Sequence, residues 1–158
     1  MIFYNFANKC LQLITAKSDE ISGSGFCYLG LCTDEPIADG SVLHEISSID
    51  YPSYERIQLN VTEAMPYADK WGIAKNGIIY NAEEFTSREC TEESGWPECS
   101  HFVIFDAKVG GNPLVGDVLR NPDGLPDETT GLYPEHKLTV GYNKVAVFRE
   151  GTLQLQLK

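Results

Sequence analysis

Residues 101–119 read "HFVIFDAKVGGNPLVGDVL", and their order decides the fold class. An apolar run, "HFVIFDA" (101–107), meets "KVGGN" and then a second apolar run, "PLVGDVL" (113–119). The glycines supply the positive φ of a tight turn, so the stretch predicts an antiparallel hairpin. Asp106 stands just before the turn, where an Asp side chain commonly caps backbone N–H groups.

The same period of two recurs outward from this hairpin. In "TLQLQLK" (152–158), Leu153, Leu155 and Leu157 face one way, while Thr152, Gln154, Gln156 and Lys158 face the other. That alternation predicts a half-buried strand. "VAVF" (145–148) precedes it, with "REG" as the turn. "FCYLGLCT" (26–33) is apolar on both faces and predicts a central strand covered on both sides. "YERIQLNV" (54–61) alternates cleanly, and "GIIYN" (77–81) reads as a short strand. Residues 2–16 break the pattern: Phe3, Phe6, Ala7, Cys10, Leu13 and Ile14 fall at steps of three and four, which predicts an amphipathic helix. Residues 121–136 hold three prolines and two glycines and read as a long surface loop. "TEESGWPE", between Cys90 and Cys99, reads as an exposed loop. About seven short strands, turn-rich joins and one helix give the expected fold: mainly β, an antiparallel β-sandwich of jelly-roll-like type with one N-terminal α-helix. Residues 1–158 form one expected domain, with the helix at 1–16, the sandwich at 26–158, and loop insertions at 86–99 and 121–136.

Composition narrows the function. The 158 residues carry 23 acidic and 12 basic side chains, a net charge of -11, and such a surface repels phosphate backbones. Nucleic acid is therefore not an expected partner. No apolar run approaches the ~18 residues of a membrane span. The start "MIFYNFANKC" lacks a basic segment and a cleavage site, which predicts synthesis in the cytoplasm.

The five cysteines match no C-x-x-C or zinc-finger spacing. Cys90, Cys99 and His101 would be a poor zinc set, and no metal is expected there. Cys90 and Cys99 are a candidate disulfide for a protein that ends up outside a cell, with free thiols as the alternative. No G-x-S-x-G elbow, H-E-x-x-H helix or phosphate loop occurs, and His44, His101 and His136 lie in different segments. Asp123, Asp127 and Glu128 form an acidic cluster without the order of a calcium loop. No catalytic set and no cofactor are expected. The aromatics Trp96 and Tyr133 are expected in exposed loops, either as anchors for a partner surface or as pins that hold those loops to the sandwich.

The order of segments carries a resemblance. A short helical stretch "NKCLQLI" is followed by "FCYLGLCTDEPIADGS", "HEISSIDYPSYERIQL", "KNGIIYNAEEF", "SGWPECS", "HFVIFDAKVGGNPL" and "VGYNKVAVFREGTLQLQLK". This order resembles a family of small bacteriophage virion proteins of tail-fibre-like or minor structural type. Tyr142-Asn143 stands where that family has Gly-Asp, and residues 86–99 and 121–136 are enlarged relative to it. The resemblance implies a non-enzymatic structural protein of the virion, made in the host cytoplasm. Its implied partners are other virion proteins and further copies of itself. The implied role is a tail fibre or adaptor, or a capsid decoration or head-fibre component. Candidate interface residues are Phe3, Tyr4, Phe6, Trp96 and Tyr133. An alternative is a carbohydrate-binding module using Trp96, Tyr133 and Tyr142.

Overall fold

The computed structural model describes residues 28–37, 40–59, 78–81 and 84–156. Within them the chain is mainly β and the strand pairs are antiparallel. The strands are β1 (Tyr28–Cys32), β2 (Ile57–Gln58), β3 (Ile78–Tyr80), β4 (Phe85–Glu89), β5 (His101–Phe105), β6 (Pro113–Val118), β7 (Val145–Phe148) and β8 (Gln154–Gln156). They form a four-stranded sheet in the order β2-β1-β5-β6 and two two-stranded sheets, β3-β8 and β4-β7. The helix expected at 1–16 lies outside the described residues.

The predicted hairpin is the β5–β6 pair, and β5 also pairs with β1 along its whole length, from Tyr28↔Phe105 to Cys32↔His101. Because side chains alternate across a strand, this register sorts them into two layers. Leu29, Leu31, Phe102 and Ile104 enter the main core, whereas Cys32, Val103 and Phe105 form a smaller cluster with Leu43 on the opposite face. Coverage on both sides is what the doubly apolar "FCYLGLCT" predicted. The second face tolerates a charge pair. Arg56 Nη2 lies 2.7 Å from Glu45 Oε2, and its guanidinium stacks 3.3 Å over the Phe105 ring. Gly30 makes room for this: a Cβ there would come within 2.6 Å of Glu45 Oε1 and 2.7 Å of Phe105 Cε2.

Three side chains do the joining that sequence periodicity does not reveal. Asn81 is fully buried. Its Nδ2 donates to the carbonyls of Phe148 and Arg149, and its Oδ1 accepts from Leu153 N–H at 2.9 Å, so it ties the β7–β8 turn to β3. Ser87 sits at the register shift between β4 and β7, where its Oγ accepts from Ala146 N–H at 2.8 Å and replaces a missing ladder bond. Asp117 Oδ2 accepts from Gln156 N–H at 3.1 Å; with the Leu119↔Leu153 bridge it links the four-stranded sheet to β8.

Several expectations change. Residues 86–99 are an exposed loop only in part: β4 occupies the start, residues 91–98 form no strand and expose Thr91, Glu93, Ser94 and Glu98, but Cys90, Trp96 and Cys99 are buried in the main core. The C-terminal strand is not half-buried either. Thr152 and Gln154 are covered along with Leu153 and Leu155, because loop 121–136 lies over the polar side and Tyr133 N–H donates to Gln154 Oε1 at 2.9 Å. Strand character in "YERIQLNV" is confined to Ile57–Gln58 among the described residues.

Candidate functional site

The predicted contact residues separate on the structure. Phe3, Tyr4 and Phe6 lie outside the described residues. Trp96 is not a surface anchor: it is 4% exposed and packs edge-on against Tyr54, with ring centroids 5.5 Å apart. Its indole N–H is satisfied inside, donating to Ser53 Oγ at 3.0 Å and Glu92 Oε2 at 3.1 Å. The Cys90–Cys99 bridge is not formed. Both are buried free thiols, Cys90 Sγ donating to Glu92 Oε2 and Cys99 Sγ to the Pro97 carbonyl. Burial pushes the Cys99 thiol up to about 12, and the nearby Glu98 charge adds to this. Burial also pushes the Cys32 thiol up to about 12, helped by Glu45. Thiols that stay protonated are poor nucleophiles and poor metal ligands.

Glu92 organises the segment. Its carboxylate accepts from Ser53 N–H at 2.8 Å, from the Ser53 hydroxyl, and from Trp96 and Cys90. Desolvation pushes this carboxyl up, but the Ser53 side-chain and backbone hydrogen bonds outweigh it and hold it at about 2. This carboxylate is a fastener between two loops and is fully occupied by that task. Asp106 plays the capping role read from the sequence: Asn112 donates to it through its backbone N–H at 2.6 Å and its side-chain amide at 2.8 Å. Gly111 is needed beside it, since φ is +73 and a Cβ would lie 2.3 Å from Asp106 Oδ1.

The acidic cluster of the long loop is dispersed by local bonds. Asp127 Oδ1 accepts from Thr129 N–H, Thr130 N–H and the Thr130 hydroxyl, an Asx-type turn, while Asp123 pairs with Arg149. Among the described residues no three His, Cys, Asp or Glu side chains converge as a metal site.

What the long loop does build is a cleft. It closes against β3 and the β7–β8 turn around a half-open space of about 620 Å³, lined among others by Tyr80, Pro122, Pro126, Tyr133, Glu150 and Gln154. Tyr133 is held from both sides of its backbone, its N–H by Gln154 and its carbonyl by Arg120 Nη1 at 2.9 Å. A second groove of about 690 Å³ crosses the outer face of β5 and β6, with Leu43, His101, Val103 and Val115 in its wall. Beyond the clefts, the loops present isolated apolar tips: Leu125 in the long loop is 92% exposed, and Val109 in the β5–β6 turn is 86% exposed.

No curated protein matches the chain. A family model does: the one described as "Podophage GP4 fiber I protein gp80" matches residues 4–141, leaving β7 and β8 beyond the match. With most of its length inside that match, the chain belongs to the podophage GP4 fiber I protein gp80 family and is a structural fibre protein of the phage virion.

Proposed function

We propose that the chain is a fibre or adaptor component at the phage tail, working by docking on other virion proteins and on copies of itself, without catalysis. The observation that carries this is the family match over residues 4–141. The fibre in the family's description supports a fibre over a plain decoration of the capsid, and it fits a tail fibre and a head fibre alike. The arrangement of side chains is in keeping with it: Glu92, Asp106, Asp127 and the Glu45–Arg56 pair are spent on holding loops in place. We read the antiparallel sheets as the layers of a jelly-roll-like sandwich that presents those loops at its ends.

Docking needs exposed apolar groups ringed by polar ones. Leu125 and Val109 serve as such anchors, together with the N-terminal residues Phe3, Tyr4 and Phe6. A net charge of -11 makes a neutral or basic receiving surface the better fit, and salt should slow attachment. Leu125→Asp and Val109→Asp test the reading. Each replaces a side chain that is 92% or 86% exposed, so melting should be unchanged. Incorporation into particles, read by quantitative mass spectrometry of purified virions, should fall sharply for at least one of them. Normal incorporation of both variants would show that these loops are not the docking surface.

A further inference from the structure

We propose that the cleft between loop 121–136 and β3 binds a neutral saccharide. Its walls carry the two kinds of group that a sugar needs. Tyr80, 38% exposed, and Tyr133 supply aromatic surface, and Pro122 and Pro126 extend the apolar wall, for the C–H face of a pyranose ring. Glu150 lines the same space and makes no ion pair among the described residues, so its carboxylate can accept from sugar hydroxyls. The opposite polarity comes from Gln154. This side chain is 2% exposed yet lines the cleft. Its Oε1 accepts from Tyr133 N–H at 2.9 Å, and its amide N–H₂ has no partner among the described residues. That amide opens on the cleft, where it can donate to a ligand hydroxyl.

The site is held in shape before any ligand arrives. Gly151, at φ +82, lets the β7–β8 turn pass under the loop; a Cβ there would stand 3.1 Å from Tyr133 Cε2 and 3.3 Å from Pro122 Cβ. The tyrosine ring therefore rests on backbone, and its own backbone is tied at both ends. Such support lowers the entropy lost on binding. Charge selects the ligand class. No Lys, Arg or His lines the cleft among the described residues, and Glu150 does, so phosphate, sulfate and uronate groups are disfavoured. About 620 Å³ accommodates a short oligosaccharide rather than a single small ion.

The test uses the full chain with maltotriose, cellotriose, a galactose trisaccharide and chitotriose, read by saturation-transfer NMR and titration. At least one should bind with a Kd in the range of about 0.1–10 mM. Tyr80→Ala and Tyr133→Leu should each weaken it about tenfold or more. Tyr142→Ala should leave it unchanged, because Tyr142 is exposed but outside the cleft. Should Tyr133→Leu unfold, Tyr80→Ala at the open side decides. The proposal is overturned if none of the four binds at about 10 mM. It is equally overturned if binding survives both tyrosine variants, or if an anionic sugar or a proline-rich peptide competes for the cleft more strongly. The docking reading does not depend on the outcome.

Discussion

Glu92 is the residue whose chemistry most directly sets the behaviour of the molecule in acid. Its carboxyl is held at about 2, below the ordinary 4.5, so the folded state favours the ionised form. A depressed pKa contributes stability that is fully present above the ordinary value and is lost as pH falls through the folded one. Melting temperature should therefore drop between about pH 4.5 and about pH 2. Glu92→Gln should be less stable at neutral pH and show a shallower fall across that window. Part of the slope should persist, because the Lys108 hydrogen bond holds Glu55 down, and hydrogen bonds from Asn112 and Thr130 do the same for Asp106 and Asp127. A thermal melt series from pH 7 to pH 2 checks this, and identical slopes for variant and parent would remove Glu92 from the account.

At the scale of elements, β8 makes the clearest claim. Leu155 is 0% exposed and pairs with Ile79 across β3–β8. Leu155→Ala should destabilise by about 2–5 kcal/mol, the span for a leucine removed from a packed core. Chemical denaturation gives that number directly, and a change below about 1 kcal/mol would mean the strand is peripheral. How far such elements can be read from sequence depends on how local their causes are. The β5–β6 hairpin is legible because alternation, Asp106 and the two glycines all lie within its own stretch. The strand β4 is not. "FTSRE" contains a single apolar residue, Phe85, and its ladder is completed by Ser87 reaching Ala146, which is 59 positions away. Trp96 reads as an exposed loop aromatic for the same reason. The groups that accept its indole N–H include Ser53, from a distant loop, and a tryptophan is comfortable inside only when that partner is present. Gln154 reads as solvent-facing because strand alternation cannot see a loop folding over the far side. The cleft is illegible for the same reason: of its aromatics the sequence points to Tyr133 alone, as a contact residue or a sugar-binding ring, and not to Tyr80.

At the scale of the whole molecule, the described residues hold a firmly packed β framework with its charged side chains turned to fastening, and the family match places that framework among phage fibre proteins. An acidic, loop-bearing β protein suits a part that meets neighbours over a surface. A stable contact should bury at least about 1,000 Å² in total and centre on apolar and aromatic groups. The most direct test is a density map of the intact particle, fine enough to trace this chain. The chain should lie in a fibre or adaptor at the tail, with residues 1–16, loop 121–136 and the β5–β6 turn against neighbouring virion proteins. Finding it on the capsid wall would contradict the proposed position. Finding all of those segments facing solvent while another surface makes the contacts would contradict the proposed mode of docking.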